Sequence, residues 1–104
     1  MLCEKPMEMD GERAGRLIRA RDAYGVKMMI GHVVRFWPGY AQIREMMDRG
    51  ELGTVLSAVF SRASQVPARG GWILDPEKGR GAIQDMLIHD TDFLCDLFGD
   101  VSQV

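Results

Sequence analysis

Cysteine is scarce: Cys3 and Cys95 are the only two, and they stand near opposite ends of the chain. Two lone cysteines make no framework of the kind that staples small secreted domains, so both are read as reduced thiols. No apolar run approaches the about 20 residues that a membrane-spanning helix needs. The opening MLCEKPMEMD turns charged by its fourth residue and lacks the apolar centre of a signal peptide. An excess of one charge is also missing. Thirteen Lys and Arg against fifteen Asp and Glu leave a net charge of −2, and the arginines are scattered. That balance gives no reason to expect nucleic acid or an anionic membrane surface. HExxH and paired CxxC are absent, so no metal-binding signature is present. These absences together describe a cytoplasmic protein with no nucleic-acid, membrane or metal partner.

What is there suits a folded chain. Over 104 residues, 46% are apolar and 27% charged, enough for one modest core and too apolar for disorder. Eight methionines, with Met28-Met29 and Met46-Met47 at core positions, suit gap-filling. Asp10 is an N-cap candidate, and Ala14, Leu17, Ile18 and Tyr24 then recur at helical spacing until Gly25. The apolar run Val26 to Val34, with β-branched Val33 and Val34, predicts a buried strand. Pro38 suits the first turn of a second helix, with Tyr40, Ile43, Met46 and Met47 as its stripe and Gly50 as its stop. Thr54 to Arg62 predicts a second strand covered on both faces. A polar, glycine-rich stretch from Ala63 to Arg80 is long for a connection, and such loops are often functional. A last helix is expected from about Ala82 to Leu97, ending at Gly99, with Val101 to Val104 beginning another strand. Met1-Leu2-Cys3 reads as the end of a strand. A helix, a glycine and a buried strand make an αβ unit of a parallel sheet. Both ends cut into structure, and so few strands make no satisfied sheet, so the chain reads as the middle of something larger.

Four groups of residues could carry chemistry. Glu4-Lys5-Pro6 lies just past a strand end, where α/β folds bind ligands; the bland reading is a charged turn. The proline holds Lys5 extended and permits a cis bond. Asp85 and His89, four apart, fall on one face of a helix. A histidine exchanges a proton near neutral pH, and a carboxylate can orient it or hold a hydroxyl. Against this, Asp85, His89, Asp92 and Asp96 at i, i+4, i+7 and i+11 are also the pattern of a solvated helix face. Gly79-Arg80-Gly81 leads into that helix and lets a ligand approach its N-terminus. As metal ligands, Asp85 and His89 would need Asp90 or His32 as a third, without any recognised spacing. His32, Arg35 and Trp37 sit at or just past a strand, facing a ligand or packing the next helix. Trp72, in the long loop, would cover an apolar sugar face or pin the loop down.

Taken in order, three blocks resemble the Gfo/Idh/MocA oxidoreductases. They are Cys3-Glu4-Lys5-Pro6, then Gly31-His32-Val33-Val34-Arg35-Phe36-Trp37-Pro38, then Gly81-Ala82-Ile83-Gln84-Asp85-Met86-Leu87-Ile88-His89-Asp90-Thr91-Asp92. Gly50-Glu51-Leu52-Gly53 also looks like the family's turn after its linking helix. The resemblance implies an α/β fold in two parts. Residues 1–35 would be the C-terminal remnant of a dinucleotide-binding Rossmann domain. Residues 36–104 would be the N-terminal portion of a substrate-binding α/β domain with an open, mainly antiparallel sheet. It implies hydride transfer between NAD or NADP and a sugar, inositol or related polyol, in a homo-oligomeric full-length enzyme. Lys5, Asp85 and His89 would be catalytic, and Glu4, Lys5 and Pro6 would touch the cofactor. Arg35, Trp37, Trp72, Asp85 and His89 would face the substrate. Two departures stand out. Arg80 replaces a glycine common in the family, and no GxGxxG follows a strand anywhere in the chain. The phosphate-cradling loop would lie upstream of Met1, so the isolated chain is expected to be inactive. The competing reading is a non-catalytic truncated relative that acts as an oligomerising or partner-binding module.

Overall fold

A computed structural model of the chain describes residues 1–63, 65, 75, 81 and 83–104. It divides into two compact units, Met1–His32 and Val33–Val104.

The first unit is a strand–helix–strand element. Strand β1 (Leu2–Cys3) pairs in parallel with β2 (Met29–Ile30), with Leu2 opposite Met29 and Cys3 opposite Ile30. Helix α1 (Gly11–Ala23) connects them, as a parallel pair requires. Asp10 caps it in extended conformation, its Oδ1 accepting the Arg13 backbone N–H at 2.8 Å. At the other end Gly25 adopts a φ of 61°, its N–H bonds Asp22 O, and the Val26 N–H bonds Arg21 O. Two such bonds around a left-handed residue satisfy carbonyls that would otherwise be orphaned.

The strand expected over Val26 to Val34 is shorter than its composition predicts. Only Met29 and Ile30 join the ladder, and Val33–Phe36 winds into a 3-10 turn instead. The β-branched pair favours a strand only where a partner strand waits for it, and β1 is two residues long. Turning instead sends Val34 into the second unit's interior, where it is 2% exposed.

In that second unit, helix α2 (Pro38–Asp48) begins with proline at its first turn. It closes on Gly50, at a φ of 71°, with the Glu51 N–H on Met46 O. The anticipated final helix is compound: a π-helical turn, Ile83–Leu87, runs into helix α3 (Ile88–Phe98), which stops at Gly99 with a φ of 82°. The second strand is a correction. Residues 54–63 join no ladder among the described residues, and Leu56 and Val59 are almost fully exposed rather than covered. Residues 101–104 likewise form no strand and are exposed. Most of the long glycine-rich stretch, with Trp72 and Arg80, lies outside the described residues.

Among the described residues the unit's interior is small. Phe93 (1% exposed) and Val34 are its fully buried apolar side chains. Around Phe93 the rings meet edge to face: Tyr40 at 4.9 Å between centroids and Phe60 at 6.3 Å. A third buried residue is charged. Asp90 lies three residues before Phe93, on the same inward side of α3.

Candidate functional site

In the first unit the carboxyl ends of two parallel strands come side by side. The Gly31 N–H donates to Cys3 O at 2.8 Å, tying the start of the turn after β2 to the end of β1. The Glu4 side chain lies over Gly31, where an added Cβ would sit 3.3 Å from Glu4 Oε2. A glycine is what lets that carboxylate approach the backbone. Lys5 follows, half-buried, with its peptide to Pro6 in the cis form. Glu4, Lys5 and Pro6 thus gather at the edge where parallel α/β sheets receive ligands. His32 follows Gly31 and is also half-buried.

In the second unit Asp85 falls inside the π-helical turn and His89 in the first turn of α3, both half-buried. The His89 Nδ1 is shielded from solvent. Single π turns inside α-helices recur at functional sites, because the wider turn shifts the phase of side chains before it against those after it. Nothing in the residue pattern signalled this turn.

The neighbouring carboxylates are engaged by arginines from elsewhere in the unit. Arg35, in the 3-10 turn, grips Asp92 through Nε and Nη2, at 2.7 and 2.5 Å, and reaches Asp96 through Nη1 at 2.6 Å. The Asp92 hydrogen bond and both carboxylate charges raise the Arg35 pKa above its usual value, against the desolvation that lowers it. Arg44 donates to the Asp96 carbonyl and lies 3.4 Å from Asp48. Asp92 and Asp96 therefore face basic partners, not water alone as a solvated face would have them. Trp37 is about half exposed and meets Tyr40 edge to face at 6.2 Å.

Among the described residues, the most enclosed charge pair joins residues 28 apart in sequence. Arg62 Nε donates to Asp90 Oδ2 at 2.9 Å, and Nη2 donates to Asp90 Oδ1 at 2.6 Å and to Tyr40 Oη at 3.0 Å. This is a two-pronged guanidinium–carboxylate fork. The Arg62 hydrogen bond holds the Asp90 carboxyl below its ordinary range against the burial that raises it, with the Arg62 and His89 charges adding to the lowering. The same hydrogen bond raises Arg62 in turn. No motif or spacing in the sequence marks this pair. Its one available signal was phase: Asp90 shares the inward side of its helix with Phe93, and a buried carboxylate demands a cation.

These features define an α/β chain with a parallel strand pair in one unit and a histidine- and aspartate-bearing helix in the other. A family model described as the GFO/IDH/MocA C-terminal domain matches residues 40–104. The chain belongs to the Gfo/Idh/MocA family. It is 32% identical to Oxidoreductase P35 of Formosa agariphila, over 97% of this chain and 34% of that protein. It is 34% identical to a 1,5-anhydro-D-fructose reductase of Ensifer adhaerens, over 90% of this chain and 29% of that protein. It is 32% identical to an inositol 2-dehydrogenase of Rhizobium meliloti, over 96% of this chain and 29% of that protein. The chain spans about a third of the length of the curated relatives it matches. No solved structure matches it significantly. Among the described residues, no helix is long and apolar enough to cross a membrane.

Proposed function

We propose that the chain is the proton-transfer segment of a cytoplasmic, homo-oligomeric NAD(P)-dependent oxidoreductase acting on a sugar, inositol or related polyol. The observation that supports this most is family membership, with Asp85 and His89 both inside the matched residues 40–104. The names of two relatives, a reductase of an anhydro-sugar and an inositol dehydrogenase, supply the substrate class. Residues 1–35 are read as the end of a Rossmann domain, supported by the parallel β1–β2 pair. Residues 36–104 are read as the beginning of a substrate domain whose open, mainly antiparallel sheet is completed by further chain.

The first unit's edge is where the dinucleotide would be held: Glu4, Lys5 and Pro6 follow the carboxyl end of β1, which is tied to the turn after β2. When bound, nicotinamide supplies the hydride chemistry. The chain's own residues supply position and proton transfer. The Lys5 ammonium donates a hydrogen bond to the reacting hydroxyl oxygen and stabilises negative charge as it develops there. The His89 imidazole takes the hydroxyl proton in oxidation and returns it in reduction. Asp85 holds the substrate hydroxyl and orients the imidazole. Arg35 and Trp37 serve the substrate side, with the Arg35 guanidinium fixed in place by Asp92 and Asp96. Trp72, outside the described residues, is read as a further substrate contact.

The test is a graft of this chain into the Rhizobium meliloti inositol 2-dehydrogenase, replacing the matching 102 residues. The hybrid is expected to transfer hydride from a polyol to NAD or NADP, and His89→Ala to abolish turnover while sparing cofactor binding. Undiminished turnover in the His89→Ala hybrid removes His89 from the mechanism. The isolated chain is expected to be inactive; saturable micromolar NADH binding, followed by Trp37 and Trp72 fluorescence, contradicts that.

A further inference from the structure

We propose that Arg62 is a positioning residue for His89: its fork on Asp90 fixes the rotation of α3 where the imidazole leaves the helix. This rests on the reading of His89 as the proton-transfer group. Neither the D-x-x-x-H spacing nor the family description assigns Arg62 or Asp90 any role.

Adjacent residues on an α-helix project about 100° apart, so whatever fixes the direction of Asp90 also fixes that of His89. Asp90 is 5% exposed, and both of its carboxylate oxygens are held by one planar guanidinium. Two parallel bonds to one rigid group define an orientation as well as a distance. Arg62 is anchored in turn. Its Nη2 also donates to the Tyr40 hydroxyl, and the Tyr40 ring stands edge-on against Phe93, one helical turn beyond Asp90. Three segments, α2, residues 54–63 and α3, are thereby joined around the first turn of α3.

That turn needs such a device. It follows directly on the π-helical turn Ile83–Leu87, whose i→i+5 bonding differs from that of the α-helix after it. Asp85 lies within the π turn and His89 just after it, so the phase between them depends on where the α-helix resumes. The Arg62–Asp90 fork pins the residue next to His89 and so sets that phase. Arg35 acts further along, at Asp92 and Asp96, and its side chain is 37% exposed against 18% for Arg62. It steadies the middle of α3, whereas Arg62 steadies its beginning.

The chain has two histidines, His32 and His89, so its imidazole NMR spectrum contains two ring systems. His32 belongs to the other unit and serves as internal control. The full chain is compared with Arg62→Lys, which keeps the charge and loses the fork. The expected result is loss of the single His89 side-chain rotamer, read as averaged three-bond couplings, with His32 unchanged and the helical circular dichroism retained. A role in stability alone would lower the unfolding midpoint and leave the His89 rotamer intact in the folded protein; that result overturns the proposal. If Arg62→Lys does not fold, Asp90→Asn, which keeps the volume and one acceptor, carries the same comparison, and an unchanged His89 rotamer there also overturns it. Ring order is read without turnover, so the outcome is independent of whether the hybrid enzyme transfers hydride.

Discussion

Replacing Arg62 by methionine should cost far more than replacing both members of its pair. Asp90 is 5% exposed and the Arg62 side chain 18%, so the pair sits close to the interior limit. Removing the guanidinium leaves a buried carboxylate stripped of its two-pronged hydrogen bond, with the adjacent His89 charge a weaker partner. Breaking buried pairs in this way costs about 3–5 kcal/mol, and the partial opening of Arg62 favours the lower end, about 3 kcal/mol. That is roughly a hundredfold in the folding equilibrium. At about 4–8 °C per kcal/mol for a domain of this size, the midpoint should fall by about 12–24 °C. The double change Arg62→Met with Asp90→Leu removes both charges and fills the space with apolar atoms, so it should lie within about 1 kcal/mol of the parent. The two compact units need not unfold together, so the assay is native-state hydrogen exchange at the α3 amides, which reads the second unit alone. A loss below about 1 kcal/mol in Arg62→Met would refute the reasoning, because the pair would then be behaving like a solvated surface pair.

Further outcomes follow from the same geometry. Asp96→Ala, beside the partly exposed Arg35, should cost only about 0.5 kcal/mol and lose that effect in high salt, read by the same exchange experiment. The Asp90 carboxyl is lowered in the folded chain, so its contribution is complete above the ordinary value of 3.8 and fades as pH falls through the lowered one. In Arg62→Met the burial that raises Asp90 acts unopposed by its largest partner, so an acid titration should show destabilisation beginning at higher pH than in the parent. Gly25→Ala, at a φ of 61°, should cost about 1 kcal/mol in a urea melt of α1. Gly31→Ala should cost less, since its closest obstacle is the movable end of the Glu4 side chain.

The helices were legible in the sequence because their ends carry local chemistry. Asp10, Gly25, Pro38, Gly50 and Gly99 each act within a few residues, and each stands where a cap or stop was expected. The strands were less so. Val33 and Val34 have the composition of a strand, but a ladder depends on a partner elsewhere in the chain, and Val34 is buried by turning instead. Residues 54–63 show the same dependence. Their alternating apolar residues describe a strand, and no described segment pairs with it, so Leu56 and Val59 stay exposed. At the candidate site, the four-residue spacing of Asp85 and His89 was visible, whereas the π turn between them was not, since no residue type specifies it. The Arg62–Asp90 fork was hidden for another reason. Its members are far apart in sequence, and only the phase of Asp90 relative to Phe93 hinted that a cation had to be found.

The central claim is that His89 exchanges the proton of the reacting hydroxyl. Turnover and dinucleotide binding of the Rhizobium meliloti hybrid, measured with His89 and with His89→Ala, test it most directly. The account predicts that the substitution removes turnover and leaves dinucleotide binding intact. Equal turnover in the two hybrids would contradict it.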